Sequence, residues 1–393
     1  MGLFVFCLLF PVGLAQPGTL LDVRFVGSLS PADITAATAG RFRNNGVAPL
    51  QPVTSVRSYI VVFESTGVDG EPAPVTAQVL IPDTEPTATF VFGAGSTGLV
   101  EACAPSRNYV TGGGFDTYGA YALAYAGQGF VSVLPNYQGF FDVGILQPYF
   151  SRTAGGYALL DAGRMLTVLA QQEDFTAAEP VFFGGYSQGG HAAFAAADLA
   201  AEYAPELTIG GVLGFGPTTD LERLFTEFTY VAPWVVYAYD TFFPERIGPA
   251  EILAEPYAAR LSSDAERFCE GGVQSYYPAD PARLYTPGFA EALAAGTLAE
   301  AFPEVHALLA ENDAGLSGHD LPAIILQGVD DPVVSLESQR DFVAALCERG
   351  SRVRFPNYLR TRHETRYIGF ESALAWMTAL VGGEEPPSDC DTL

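Results

Sequence analysis

A serine lies between two glycines at residues 185–189, in the sequence GYSQG. The apolar run PVFFG precedes it and the alanine-rich run HAAFAAADLAAEY follows it, which predicts a strand, a tight turn and a helix. On such a turn the hydroxyl of Ser187 projects above the sheet, and glycines are needed because the crowded backbone leaves no room for a Cβ. The first turn of the helix has unpaired N–H groups, led by that of Gln188, which can stabilise an oxyanion. We therefore predict Ser187 as the nucleophile of an acyl-transfer reaction.

Ser96 lies in a similar setting, in the sequence AGSTG at residues 94–98. A serine flanked by small residues is a weak signal by itself in a chain with 42 glycines. No alanine-rich helical segment follows Ser96, so we do not assign it as the nucleophile. The strand and helix around Ser187 are what distinguish it.

A serine hydroxyl needs a base to remove its proton and an acid to orient that base. The chain contains four histidines. His191 lies one turn after Ser187 on the predicted helix, where its ring points away from the hydroxyl. His306 and His319 lie at positions that do not reach the serine turn. His363 follows the last predicted strand, at the place where a serine hydrolase of this chain order carries its base, and we predict that role for it.

The orienting acid is expected at the end of another strand. The run GVDDPVV at residues 328–334 follows the predicted strand Ala323–Leu326 and contains two adjacent aspartates. The spacing of the glycine, the acid and the valine favours Asp331, with Asp330 stabilising the turn. The alternative is that both carboxylates only cap the loop.

The elements that must position these residues form a repeating pattern. Short apolar runs alternate with alanine-rich segments, which predicts an α/β fold: a mostly parallel sheet with helices on both faces. Two strands before the first helix predict an antiparallel hairpin at one edge. The predicted strands are Tyr59–Glu64, Val75–Ile81, Thr89–Gly93, Gly129–Leu134, Pro180–Gly184, Ile209–Leu213, Ala323–Leu326 and Ser351–Tyr358. The predicted helices are Thr117–Ala126, Gly155–Ala170, Gln188–Tyr203, Leu336–Glu348 and Phe370–Val381.

An aromatic-rich segment interrupts this alternation. We interpret residues 217–318 as a cap or lid inserted into a core formed by residues 16–216 and 319–382, with a tail at 383–393. Most of its aromatic residues are expected to pack together, although an insertion at this place can also line a pocket for an apolar ligand.

The charge of the chain excludes some partners. The sequence has 45 acidic residues and 19 basic residues, all of them arginine, for a net charge of −26. Such a surface repels phosphate backbones and anionic headgroups, so we expect no nucleic-acid partner. The acidity itself favours solubility.

The first residues form an uncharged apolar run, MGLFVFCLLFPVGLA, at positions 1–15. The run is shorter than the ~20 residues of a spanning helix and ends in small residues, which predicts a secretory signal. The alternative is a buried first strand. No other apolar run approaches spanning length, so no stable membrane insertion is expected, only transient contact with a lipid interface.

Four cysteines follow this run. In an exported protein they indicate two disulfides, and we expect pairing in chain order, Cys103 with Cys269 and Cys347 with Cys390. The alternative is four buried thiols. No Cys-x-x-Cys occurs, and Tyr367 interrupts the His-Glu-x-x-His pattern that begins at His363, so no metal site or other cofactor is expected.

Several motifs together resemble the secretory lipase family. They are GYSQGGHAA, the segment Gly95 to Ser106, LPNYQGF at 134–140, GVDDPVV and the Arg-His pair at 362–363. The family comprises α/β-hydrolases that resemble fungal lipase A and its bacterial relatives, and the resemblance covers residues 50 to 380. It implies a triad of Ser187, Asp331 and His363, a lid, and hydrolysis of acylglycerols and related esters.

The chain departs from the family at two places. Where bacterial relatives have His-Gly-Thr-Thr-Gly, Ala94 replaces the histidine; the resemblance still implies that the Ser96 backbone N–H is the second oxyanion donor. The family's Asp-Tyr-Glu turn reads NYQ at residues 136–138, and the resemblance implies that Tyr137, with Tyr186, contacts substrate.

The sequence therefore predicts a monomeric, secreted or periplasmic serine carboxylic-ester hydrolase, a lipase or esterase. Three alternatives stay open. They are a peptidase or amidase on the same fold, an acyltransferase, and a catalytically silent binding protein.

Overall fold

A twisted sheet forms the centre of the protein in the computed structural model, which describes residues 16–106, 117–317 and 319–393. The predicted signal segment 1–15 lies outside the described residues. The strands are β1 (Leu20–Leu29), β2 (Val56–Thr66), β3 (Pro72–Pro82), β4 (Thr89–Gly93), β5 (Val131–Pro135), β6 (Val181–Tyr186), β7 (Ile209–Phe215), β8 (Ala323–Gly328), β9 (Val353–Arg354) and β10 (Asn357–Tyr358).

The sheet is antiparallel at one end and parallel elsewhere. Its order is β1-β2-β3-β5-β4-β6-β7-β8-β10, with β9 also paired to β8. The pairs β1–β2, β2–β3 and β3–β5 are antiparallel, and all pairs from β5–β4 onward are parallel. The carboxyl ends of the parallel strands therefore meet at one edge, where ligand sites of such sheets lie.

Helices cover both faces of the sheet. In the core they are α1 (Pro31–Asn44), α2 (Thr117–Ala126), α3 (Arg152–Glu173) and α4 (Gln188–Tyr203), and near the end of the chain α15 (Leu336–Glu348) and α16 (Phe370–Val381). Between β7 and β8 lie α5 (Leu221–Glu227), α6 (Ala232–Phe242), α7 (Pro249–Ile252), α8 (Glu255–Ala258), α9 (Leu261–Arg267), α10 (Glu270–Tyr276), α11 (Pro281–Leu284), α12 (Pro287–Ala295), α13 (Leu298–Ala301) and α14 (Pro303–Glu311).

Two apolar cores form because strand side chains alternate between the faces. On β4, Val91 packs into the core beneath α3, α4 and α15, while Phe90 and Phe92 pack into the core beneath α1, α2 and α16. The alanine-rich sequence of α4 is buried along most of its length, since small side chains allow the helix to lie close to the sheet. The predicted architecture is confirmed.

Three details differ from the predictions. β1 and α1 were not predicted, and β1, not the hairpin β2–β3, forms the edge of the sheet. β1 is easily missed because both of its faces are largely accessible, so its sequence lacks a clear apolar alternation. The single strand predicted over Ser351–Tyr358 is divided into β9 and β10, because Pro356 between them has no N–H for a continuous ladder.

The segment between β7 and β8 forms a separate helical layer with its own apolar core. Trp234, Tyr239 and Tyr285 are among its fully buried residues. The hydroxyls of both tyrosines are hydrogen-bonded to backbone carbonyls: Tyr239 donates to Phe150 O at 3.0 Å and Tyr285 to Phe225 O at 2.7 Å. The aromatic residues of this segment thus mainly pack against one another, as expected. Phe228 and Tyr230 also face a cleft described below.

Two disulfides join distant parts of the chain. Cys103 is bonded to Cys269, and Cys347 is bonded to Cys390, the pairing in chain order. The first ties the helical layer to the segment that follows β4. The second ties the C-terminal tail to α15. The same tail is also bonded to β9, since Asp389 N donates to Val353 O at 2.7 Å. Among the described residues, no helix is long and apolar enough to span a membrane.

One carboxylate in the helical layer makes stability depend on pH. Asp313 accepts a hydrogen bond from Leu221 N at 2.8 Å. Burial, with smaller contributions from Asp220 and Glu222, raises the pKa of Asp313 from 3.8 to about 8. The folded protein therefore holds a proton that the unfolded chain has lost between these pH values, so this group's contribution to stability falls as pH rises through the window.

The variant Asp313→Asn should remove that dependence, because an amide oxygen still accepts from Leu221 N and does not ionise. We expect a free energy of unfolding on the order of 5 kcal/mol above wild type at pH 8 and close to it near pH 4, measured by urea denaturation. Asp142→Asn, at an exposed position, is the control and should match wild type at both pH values. An Asp313→Asn protein no more stable than wild type at pH 8 would contradict the interpretation.

Candidate active site

Ser187 occupies a strained turn between β6 and α4. Its backbone has φ 53° and ψ −114°, a combination outside the regions that residues other than glycine favour. Its N–H donates a hydrogen bond to Phe215 O at 3.1 Å. A Cβ on Gly189 would lie 2.0 Å from Gly93 O, so only glycine allows α4 to begin this close to β4. The serine is buried to all but 5% of its surface, yet it borders an open cleft.

His363 and Asp331 meet at the carboxyl edge of the sheet. Asp331 follows β8, His363 follows β10, and His363 Nδ1 lies 2.8 Å from Asp331 Oδ2. The other carboxylate oxygen of Asp331 accepts from Val333 N at 2.8 Å and Val334 N at 3.1 Å. The turn therefore fixes the carboxylate, and the carboxylate fixes one side of the imidazole. The turn bonds are made by Asp331 itself, whereas we had expected Asp330 to stabilise the turn.

The second nitrogen of the imidazole is available. His363 Nε2 is buried and has no hydrogen-bond partner among the described residues. A Cβ on Gly216 would come within 3.1 Å of His363 Cε1 and Nδ1, so this glycine makes space for the ring beside β7. The ring of Tyr186 lies 4.8 Å from that of His363, measured between centroids. Ser187 and His363 Nε2 are therefore not hydrogen-bonded to each other in this structure.

Ser187 and His363 line the same cleft, which has a volume of about 410 Å³. Its aromatic wall consists of Tyr118, Tyr186, Phe228 and Tyr230. Its charged side chains are Glu270, Arg362, Glu364 and Arg366. The cleft thus combines flat apolar surfaces with charged and hydrogen-bonding groups, and the helical layer supplies part of its wall through Phe228, Tyr230 and Glu270.

The two candidate oxyanion donors follow neighbouring strands: Gln188 comes directly after Ser187 at the end of β6, and Ser96 follows β4. Gln188 begins α4, where the first N–H groups have no intrahelical partner. Ser96 lines the cleft and its hydroxyl is bonded to Tyr149 at 2.5 Å. Thr97 O accepts from Glu270 N at 2.9 Å, and together with the disulfide at Cys103 this holds the turn against the helical layer.

The two tyrosines that the resemblance implied as substrate contacts differ in position. Tyr186 lines the cleft. Tyr137 is buried and is not among the described residues that line it; its hydroxyl donates to Ala94 O at 2.6 Å. The hydroxyl is used to hold the turn that carries Ser96, so the structure gives Tyr137 a supporting position in place of the expected contact.

The model of one protein family, described as secretory lipase, matches residues 120–389, which is more than half of the chain. The chain belongs to the secretory lipase family. It is 25% identical to lipase A of Arthroderma benhamiae over 362 residues, covering 87% of this chain and 74% of that protein. It is 24% identical to the trichothecene C-3 esterase of Fusarium sporotrichioides over 395 residues, covering 92% and 79%.

Two solved structures share the fold. The rice cell wall degrading esterase of Xanthomonas oryzae aligns with a TM-score of 0.74 at 21% identity, covering 96% of this chain and 98% of that one. Candida antarctica lipase A aligns with a TM-score of 0.71 at 22% identity, covering 96% and 85%. This member of the secretory lipase family therefore has the predicted α/β-hydrolase fold, and its family and relatives make it a carboxylic ester hydrolase.

The other three histidines are not among the described residues that line the cleft. His191 Nε2 donates to Asn312 O at 2.7 Å, and burial lowers its pKa to about 4. His306 Nδ1 is paired with Glu222 at 2.7 Å, and His319 lies 3.9 Å from Asp198. Within the ranges that the structure describes, no group of three or more His, Cys, Asp or Glu could hold a metal ion.

Sequence reasoning missed an ion pair beside His363, in which Arg366 is buried and Glu364 is partly exposed. Arg366 Nε donates to Glu364 Oε1 at 2.8 Å, and a second contact joins Arg366 Nη2 to Glu364 Oε2. Burial disfavours the charged form of both residues, but the opposite charge of the partner favours it more strongly. The pKa of Glu364 therefore lies below its ordinary value and the pKa of Arg366 lies above its own. The sequence did contain a signal for this pair. Two opposite charges lie two residues apart directly after the predicted base, in a chain in which only 16% of the residues are charged.

Proposed function

We propose that this protein is an exported serine hydrolase that cleaves carboxylic esters through Ser187, His363 and Asp331 by way of an acyl-enzyme. The supporting observation is one constellation: a serine on a strained turn and an imidazole with one nitrogen fixed by a carboxylate, both facing the same cleft. Because its other nitrogen is unoccupied among the described residues, that imidazole is equipped to act as a base.

In the first step His363 Nε2 takes the hydroxyl proton of Ser187, whose oxygen attacks the ester carbonyl. The negative charge that develops on the carbonyl oxygen is stabilised by the N–H groups of Gln188 and Ser96. His363 then gives the proton to the departing alcohol, which leaves Ser187 acylated.

Asp331 determines which nitrogen of His363 is basic. By accepting a hydrogen bond from Nδ1–H at 2.8 Å, it keeps the lone pair on Nε2, the side facing the cleft. It also stabilises the imidazolium that forms. In the second step, water activated by the same nitrogen attacks the acyl group, and the acid is released.

The family and the relatives support acylglycerols and related carboxylic esters as substrates. The two disulfides support export to an oxidising compartment, outside the cell or in the periplasm. The prediction of a monomer as the active form is kept as part of the proposal.

Labelling and substrate comparison test the proposal. A fluorophosphonate should label the wild-type protein stoichiometrically, and peptide mapping should place the label on Ser187. Hydrolysis of p-nitrophenyl butyrate should exceed that of the matched anilide, and water should be a better acceptor than added alcohol. A label on another serine would contradict the assignment of Ser187. Preferential anilide cleavage, dominant transfer to alcohol, or no labelling at all would instead support one of the alternative functions.

A further inference from the structure

Arg366 lies in the wall of the active-site cleft although it is nearly excluded from solvent. The residue is 2% exposed. Its guanidinium carbon lies 4.3 Å from the ring centroid of Tyr186 and 4.7 Å from that of Tyr118, so it stacks on two members of the aromatic wall. The orientation of the guanidinium is therefore fixed before any substrate binds.

Only two of the three nitrogens of this guanidinium have a hydrogen-bond acceptor among the described residues. Nε and Nη2 are bonded to the carboxylate of Glu364, which neutralises the charge. Nη1 is buried and has no hydrogen-bond partner among the described residues. A buried donor without an acceptor is costly, and an oxygen that a ligand brings to this wall would supply the acceptor that the described residues do not.

The reaction geometry indicates which part of an ester meets this donor. The leaving oxygen must face His363, because His363 protonates it. The alcohol moiety therefore extends on the His363 side of Ser187. The ring of Tyr186 lies tilted beside that of His363, at 4.8 Å between centroids. Arg366 lies against Tyr186 and lines the cleft, so the residue that carries the unpaired donor is on the alcohol side.

We propose that Arg366 Nη1 binds an oxygen in the alcohol moiety of the substrate, so that the enzyme favours esters of glycols, glycerol and similar oxygen-bearing alcohols over esters of simple alkyl alcohols. The inference rests on the proposed function, because it needs Ser187 and His363 to orient the ester.

The oxygen should belong to a neutral hydroxyl or ether. The Arg366 charge is already balanced by Glu364, and Glu270 contributes a further carboxylate to the cleft. The whole protein carries a net charge of −26. An alcohol that bears a carboxylate would meet repulsion from these groups, so a single neutral acceptor fits the site better.

Two matched substrate series test this in the wild-type protein. The first compares pentyl butyrate with 2-ethoxyethyl butyrate and 3-methoxypropyl butyrate, the two ethers in which oxygen replaces the third or the fourth carbon of the pentyl group. The second moves the oxygen into the acyl chain of butyl hexanoate. We expect kcat/KM to rise about tenfold at one oxygen position of the alcohol series. Equal rates at all positions, a preference only in the acyl series, or preference for a carboxylate-bearing alcohol would overturn the proposal.

Variants then identify the donor. Arg366→Lys keeps a charge beside Glu364 but loses the planar second nitrogen, and the double variant Arg366→Met, Glu364→Gln removes the pair without leaving a lone buried charge. In both, the ether-to-alkyl ratio should fall towards one, whereas Arg362→Lys, at the exposed cleft arginine, should keep the wild-type ratio. A preference that survives at Arg366 and disappears at Arg362 would refute the assignment. Loss of pentyl butyrate hydrolysis in the wild type would instead refute the proposed function.

Discussion

The variant Ser187→Ala is expected to lose turnover of p-nitrophenyl butyrate by a factor on the order of 10⁶. Its methyl group cannot form the acyl-enzyme, and neither His363 nor the oxyanion donors can replace a missing nucleophile. The fold should tolerate the change, because Ser187 makes no side-chain hydrogen bond that caps α4. The measurement is kcat from steady-state hydrolysis, with circular dichroism to verify the fold.

The control is Ser372→Ala, which removes an exposed hydroxyl on α16, remote in the chain from the serine turn. It should retain wild-type kcat and full fluorophosphonate labelling. If the Ser187→Ala protein were to keep hydrolysing the ester at more than a small fraction of the wild-type rate, the nucleophile would have to be sought elsewhere, with Ser96 the first candidate because it lines the same cleft.

Short-range signals in the sequence were sufficient to place Ser187, Asp331 and His363. Each follows a strand that pairs in parallel with its neighbours, and the carboxyl ends of such strands share one edge of the sheet. A residue type found just after a strand is therefore positioned by the fold class alone. The helices Thr117–Ala126 and Gln188–Tyr203 were predicted with their observed bounds for a similar reason: alanine favours helix and allows close packing on a sheet.

Features that depend on contacts between distant segments could not be predicted in this way. The hydrogen bond from the Tyr137 hydroxyl to Ala94 O joins the loop after β5 to the loop after β4, and neither loop sequence alone indicates this bond. The stacking of Arg366 on Tyr118 and Tyr186 brings together three separate segments. Resemblance to a family implies roles for residues that match its motifs, and it gave no role to a charged pair outside them.

Replacing the orienting acid by its amide should have the second largest effect. In Asp331→Asn the amide oxygen can still accept from Val333 N and Val334 N, so the turn is kept. The amide NH₂ then faces His363 Nδ1 and donates to it, which moves the imidazole proton to Nε2. A protonated Nε2 cannot accept the proton of Ser187, and we expect kcat to fall about 10⁴-fold.

Asp330→Asn is the matched control, because it makes the same substitution at the adjacent residue. Its backbone N–H donates to Thr361 O at 3.0 Å and is unaffected by the change, so kcat should stay within about twofold of wild type. The pair of variants distinguishes the two adjacent aspartates, which the sequence alone could not fully separate. If Asp330→Asn were the damaging substitution, the bond between Asp331 and His363 would not be the one that orients the base.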